Sequence, residues 1–593
     1  MTGLAAPAPA AVEPTPVTAA PRAESTARAL AVGCAIGAVL AAGNVYTGLK
    51  ISMIDGGSIT AALLGFMLFS RTRSGRAPYS ALENNITQTT AASAAIMGYV
   101  AGVGGPIPAM SLMGGHFPGW ALAIWGMAIA LIGIFAASLL RRKLVIEEAL
   151  PFPTGNATGD LIETMFAARA SALRRARLLL GGALVAAAVT WFRDGRPKLL
   201  PEATMVGGAV AGIPLAALTV GMSWSPLLLS TGVMMGLRAA VSMALGAALA
   251  WVGLAPWLVR SGIVAEASFP ACSPWLVWPG LGLLLAGSFL PLVLDWRAVV
   301  RAFADLGTLL RGRAAGAARA GAEAEAAERS PRLGAGVVLG LVAIVAVGRG
   351  VFGLHVASAL LAIAVALVLA VVSSRATGET DCAPVGAVGT LTQVVFSGYG
   401  PIISILAGSV SMGTSSQAAQ TLWAFKAGQR LGGTPRAQLG AQVLGALLGG
   451  LVVVPVYLVI VSAYGIGTES LPAPSAVTWK ATAEAVRGGL GSLPPHAPVA
   501  GLVGLLVGGV LAFGARGRAA RWLPSPAAMG IAMLMPASLA LAVLAGAVAA
   551  VVVLRLRPSL NQDELTSMAA GGIAGESLMG VIVAILVVAG VWK

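Results

Sequence analysis

From residue 28 to the C-terminus the chain is a near-continuous succession of apolar runs of membrane-spanning length. They cover 28–49, 51–69, 86–113, 119–140, 177–192, 204–222, 226–254 and 276–296 in the first half. Runs at 334–350, 353–373, 386–412, 437–464, 497–514, 525–554 and 567–592 make up the second. A helix crosses the hydrocarbon core with roughly 20 apolar residues, and backbone groups there must be satisfied within the segment. The predicted fold class is therefore an all-α polytopic membrane protein of about 14–16 transmembrane helices, the longest runs being broken or re-entrant. Only 10% of residues are charged, against roughly 25% in an ordinary soluble domain. That excludes a soluble enzyme, a disordered scaffold and a coiled coil. Cys34, Cys272 and Cys382 are isolated, so neither a disulfide framework nor a zinc site is expected.

The 38 basic and 23 acidic residues give a net charge of +15. The basic ones fall in short clusters between apolar runs, such as Arg71/Arg73/Arg76, Arg141-Arg142-Lys143 and Arg174-Arg175/Arg177. This is the pattern of cytoplasmic loops under the positive-inside rule, and it predicts a cytoplasmic N-terminus rather than nucleic-acid binding. Residues 1–26, rich in Ala and Pro, read as a disordered cytoplasmic tail and not as a signal peptide. Residues 27–299 then form a first transmembrane repeat, 300–332 a charged cytoplasmic linker and 333–593 a second repeat.

Evidence for the repeat lies in matched segments. Ser225-Pro226 and Ser525-Pro526 open similar stretches in which Met235/Met535, Ala240/Ala540 and Gly246/Gly546 stay in register. LPFPTGNAT from Leu150 resembles LPAPSAVTW from Leu471, and NNITQT from Asn84 echoes SQAAQT from Ser416. Internal repeats with a binding site at their interface are how secondary transporters are built.

Polar residues inside apolar runs must be paired, wetted or functional. Tyr46 and Lys50 end the first run, and Asp55-Gly56-Gly57-Ser58 begins the second. A Lys50–Asp55 pair beside two glycines suggests a broken helix; an ordinary hairpin at the surface fits equally. Glu83, Asn84, Thr87 and Gln88 open the third run, with Asn84, Thr87 and Gln88 on one helical face. Glu83 suits a helix N-terminus. Glu147 and Glu148 precede the shaped loop Pro151-Phe152-Pro153. In the second half, Gln393, Ser411, Thr414, Ser415, Ser416, Gln417, Gln420 and Lys426 form the densest uncharged polar segment of any apolar stretch. Such amides and hydroxyls match a ligand offering donors and acceptors. Glu576 places an acid within the last run, a default candidate for proton coupling or a structural partner of an arginine. Proton coupling is thus expected at Glu83, Glu576 and Asp55, and substrate binding at Tyr46, Asn84, Gln88, Gln393, Gln417, Gln420 and Lys426. Glu576→Gln and Glu83→Gln are expected to uncouple transport without loss of expression. There is no P-loop, no H-E-x-x-H and no G-x-S-x-G, so no cofactor is expected and a membrane-embedded lipid enzyme has no reactive cluster to support it.

The chain resembles the oligopeptide transporter family, in particular its bacterial branch and the related yellow-stripe-like metal-chelate transporters. The matching pieces are NVYTGLKISM at Asn44, ENNITQT at Glu83, LVIEEALPFPTGNAT at Leu144 and ETDCAPVGAVGTLTQ at Glu379. FKAGQRLGGTPRAQLGAQVLG at Phe425 and GGIAGESLMGVIVA at Gly571 complete the set. Glu83, Gln88, Glu147, Gln420, Lys426 and Glu576 fall on these motifs. The resemblance implies proton-coupled import of small peptides or metal chelates across a bacterial inner membrane, with a homodimer as the expected assembly. An Asp-Ile-Asn-Pro-like motif reads Asp381-Cys382-Ala383-Pro384 here, a departure that bears on substrate identity rather than transporter class.

Overall fold

In a computed structural model, residues 24–70, 78–294, 331–381, 383–488, 494–515 and 522–591 are described. Most of the expected tail (1–23) and of the charged linker (300–330) lie outside these residues. The first half comprises α1 (Ala27–Ile51), α2 (Ser58–Ser70), α3 (Ala81–Ala95), α4 (Met97–Val100), α5 (Pro106–Leu112) and α6 (Gly119–Arg141). It continues with α7 (Pro153–Ala167), α8 (Arg169–Asp194), α9 (Pro226–Met235), α10 (Leu237–Ala248), α11 (Ala255–Arg260) and α12 (Phe269–Leu294). The second half comprises α13 (Pro331–Gly350), α14 (Val356–Thr380), α15 (Val385–Val395), α16 (Pro401–Leu431) and α17 (Pro435–Tyr464). It ends with α18 (Pro474–Gly488), α19 (Ala497–Gly514), α20 (Pro526–Met533), α21 (Ala537–Leu556) and α22 (Gln562–Val588).

The chain is a polytopic all-α membrane protein. Among the described residues ten helices are long and apolar enough to cross a membrane, and further apolar helices such as Ser58–Phe69, Pro226–Met235 and Val385–Val395 are shorter. The short ones arise where long apolar runs break. Run 86–113 divides into α3, α4 and α5, run 226–254 breaks at Gly236 (φ 79°), and run 525–554 breaks at Leu534-Met535-Pro536. At 31 residues α16 is long enough to cross, yet its hydroxyls and amides keep it out of the ten.

One expected span is not a helix. Residues 204–222 fold as two small antiparallel ladders, Ala203–Met205 with Gly221–Ser223 and Ala209–Val210 with Ile213–Pro214. Gly207, Gly208, Gly212, Pro214 and Gly221 interrupt that run, and Gly208, Ala211, Gly212 and Thr219 take positive φ. Apolar content favoured a span; glycine and proline decided against a helix.

Residues 24–26, assigned to the tail by composition, are ordered. Glu24 accepts hydrogen bonds from Thr434 N and Oγ1, and the Thr26 hydroxyl caps α1.

The halves pack through small residues that let backbones approach. A Cβ on Gly546 would overlap the carbonyl of Leu229, and one on Gly246 would overlap that of Met529. The two contacts exchange into each other when each residue is replaced by its partner 300 positions away. Gly246→Val and Gly546→Val should therefore destabilise to a similar extent, by about 1–3 kcal/mol as for other overpacked sites. Thermal unfolding of the detergent-solubilised protein measures it.

Candidate functional site

The first span ends in a true break. Ser52 terminates α1 in a left-handed conformation (φ 58°), and α2 begins only at Ser58. Gly57 packs against Leu40 and Ala95, so the unwound chain has returned to the middle of α1 by that point. Asn44 pins the strand by donating from Nδ2 to the Asp55 carbonyl (2.7 Å) and to the Ala95 carbonyl (3.0 Å). Non-helical backbone at membrane depth is tolerated only within protein or along a watery cavity. Asp55 is exposed there and makes no ion pair with any described residue. Beside the break stands α16: the Gln420 Oε1 lies 2.9 Å from where a Cβ on Gly56 would sit, and Gln420 Nε2 approaches Ser58 Oγ at 3.4 Å.

The expected Lys50–Asp55 pair does not form. Lys50 Nζ instead lies 3.2 Å from Glu576 Oε1 and 3.0 Å from Tyr46 Oη. Glu576 is completely buried and is surrounded by donors: Arg193 Nη2 at 3.0 Å, Ser225 Oγ at 2.8 Å and the Leu227 backbone N–H at 2.7 Å. The last two belong to the N-terminus of α9, whose partial positive charge favours an anion. Arg193 also holds Asp194 at 2.6 Å. The cluster thus contains two cations and two anions. Tyr46 completes it, its ring edge-on to Tyr464 at 6.1 Å.

Glu83 is likewise paired. It closes a capping box with Ser80 and receives Arg28 Nε at 2.7 Å and Thr26 Oγ1 at 2.6 Å. Asn84 donates to the Ala62 carbonyl, and Gln88 to Asn85 Oδ1 and Thr89 Oγ1. Gln417 donates to Ser93 Oγ and Gln442 Oε1, each at 3.1 Å. Gln393 stands apart, bonded to the Trp479 carbonyl. Lys426 packs against Gly155 and meets no acidic partner among the described residues. The side-chain oxygens of Asn84, Gln88, Gln393, Gln417 and Gln420 are buried acceptors without a donor among the described residues. An unsatisfied buried polar group costs about 1–3 kcal/mol, so each favours an arriving donor.

At the Arg142 end of the molecule, Arg375 pairs with Glu148 (2.7 Å) and Glu379 (3.0 Å). Burial pushes the Glu148 carboxyl up, but the Arg375 guanidinium and Lys143 outweigh it and hold it below the ordinary carboxylate range. The pair is therefore intact at neutral pH and is lost only as pH falls through that lowered value.

Arg193, Asp194, Ser225 and Arg375 were not selected from sequence. The adjacent opposite charges Arg193-Asp194 at the end of an apolar run were the available signal for the first two.

A family model described as OPT oligopeptide transporter protein matches residues 24–587. A Haemophilus influenzae protein named for oligopeptide transport is 24% identical over 612 residues, covering 92% of this chain and 93% of its own. A Saccharomyces cerevisiae protein named likewise is 24% identical over 595 residues, covering 78% and 81%. An Oryza sativa protein named for metal–nicotianamine transport is 23% identical over 633 residues, covering 95% and 91%. With the family model spanning almost all of the described helices, the chain belongs to the oligopeptide transporter family.

Proposed function

We propose that this protein is a proton-coupled secondary transporter importing oligopeptides or related peptide-like compounds by alternating access. The observation that carries the reading is the unwound segment Ser52–Gly57, which carries the exposed Asp55 and whose Gly56 lies against the amide of Gln420 from the other half. Broken helices at membrane depth are where secondary transporters bind substrate and coupling ion. Peptide N–H groups supply the donors that the orphaned amide oxygens need. Among the three proposed coupling acids, Glu83 and Glu576 already have cationic partners. Asp55 has none among the described residues, so we assign it the proton.

A second reading is a metal–chelate symporter, favoured by the names of several relatives. The metal would enter inside its chelator, and the same donors and acceptors would meet the organic shell. Both readings are tested by uptake into proteoliposomes under an imposed pH gradient, comparing labelled di- to hexapeptides with iron–chelate complexes. Gradient-dependent accumulation of peptides is expected; accumulation of chelates alone selects the second reading, and accumulation of neither overturns both.

A further inference from the structure

The two Leu-Pro-x-Pro segments make the same contacts on opposite faces of the molecule. Phe152 N–H donates to the Gly378 carbonyl at 2.9 Å, and Ala473 N–H donates to the Leu49 carbonyl at 2.9 Å. Two residues later, Thr154 N–H donates to Asp381 Oδ1 at 3.0 Å, and Ser475 N–H donates to Ser52 Oγ at 2.7 Å. In both pairs the donors are 321 positions apart and the acceptors 329. Each donor belongs to one half and each acceptor to the last helical turn or the break that follows it in the other. Both breaks start with a left-handed residue, Ser52 (φ 58°) or Asp381 (φ 62°), and both hairpins carry a non-glycine residue at positive φ, Phe152 (39°) or Ala473 (47°). Strained backbone of that kind persists only where its surroundings hold it, and it concentrates at clamps and switches.

The two faces are opposite ones. Phe152 follows the Arg142–Lys143 turn, on the same side as Arg430, Thr434 and Glu24. Ala473 follows the segment in which Ser470 bonds Glu202, beyond the far end of α8. Gln420 lies between them. It faces Gly56 and Ser58 beside one break, and it is one helical turn from Trp423, whose indole N–H donates to Asp381 at 2.8 Å.

We propose that the two Leu-Pro-x-Pro hairpins are a matched pair of access latches, each fastening the helix break of the opposite half and each closing one entrance to the central site. The proposal rests on the transporter reading and names what opens each entrance. The latches differ in strength. Asp381 offers a carboxyl group that takes three donors, Thr154 N, Thr154 Oγ1 and Trp423 Nε1, and the neighbouring Glu148–Arg375 pair reinforces it. Ser52 offers a neutral hydroxyl. Bonds to charged groups are roughly twice as strong as neutral ones, so the Asp381 latch opens less readily.

Asp381→Gly and Ser52→Gly form a matched test, because glycine keeps the left-handed backbone and removes only the acceptor. In a background lacking Cys34, Cys272 and Cys382, Gln420→Cys is the probe, since Gln420 is completely buried and a thiol there reacts only through an opened path. A membrane-impermeant thiol reagent is applied to each face of sealed vesicles, with Arg142→Cys marking the Asp381 side. Asp381→Gly should speed labelling from the Arg142 side about tenfold or more, and Ser52→Gly should speed it about two- to tenfold from the other side. If Asp381→Gly does not fold, Thr154→Val carries the same directional expectation. Both variants opening one face, or folded variants with unchanged labelling, overturns the latches. Labelling needs no substrate, so this failure is distinguishable from failure of the transport reading, which would appear as absent uptake by a protein whose latches behave as stated.

Discussion

Glu576→Gln is expected to cost this protein its folded state, and neutralising Lys50 alongside it should restore much of what is lost. Lys50, Arg193, Asp194 and Glu576 balance at zero net charge in a site where Glu576 and Arg193 are almost wholly enclosed. Removing one partner leaves an uncompensated buried cation, which costs about 3–5 kcal/mol, whereas removing a complete pair is often close to neutral. Size-exclusion profiles and thermal unfolding in detergent should show Glu576→Gln aggregated or strongly destabilised. The double variant Lys50→Met/Glu576→Gln should return to a monodisperse peak. A single variant as stable as the wild type would show that the cluster does not hold the halves together. This replaces the expectation that Glu576→Gln leaves expression intact, which followed from seeing the acid in an apolar run without seeing its partners.

Asp55→Asn should have the opposite profile: normal folding and complete loss of concentrative uptake. The side chain is exposed and has no cationic partner among the described residues, and the Gly56 and Gly57 N–H groups that it accepts from lie within the break itself, so an amide oxygen can replace it without loosening any helix. An amide of the same shape cannot exchange a proton, and the gradient then has no grip on the substrate cycle. In proteoliposomes, the variant should equilibrate labelled substrate to an inside-to-outside ratio of about one while still exchanging internal for external substrate. Retained accumulation against a gradient would remove Asp55 from the coupling role.

Much of the fold was legible because membrane helices write themselves as apolar length. The run at 119–140 became α6 and that at 437–464 became α17 with shifts of a residue or two. The failure at 204–222 has a local cause, since glycines and a proline override apolar content when a run is short. The site was less legible. Asp55 and Gln420 could be singled out because polar residues in apolar runs stand out, and the glycines at 56–57 because they mark a helix break. Their partners were not, because pairing is long-range: Lys50 lies five residues from Asp55 in sequence but bonds to Glu576, 526 positions away. The matched Leu-Pro-x-Pro segments were visible as a repeat, whereas their reciprocal grip on the opposite half needed coordinates.

We propose that substrate and proton cross together through Asp55. This is tested most directly by following internal pH in substrate-free proteoliposomes with no imposed gradient while peptide is added outside. Wild-type vesicles should acidify inside as peptide enters, and Asp55→Asn vesicles should take up peptide to equilibrium without acidification. Peptide entry into wild-type vesicles with no change in internal pH, or equal acidification by the variant, would contradict the account.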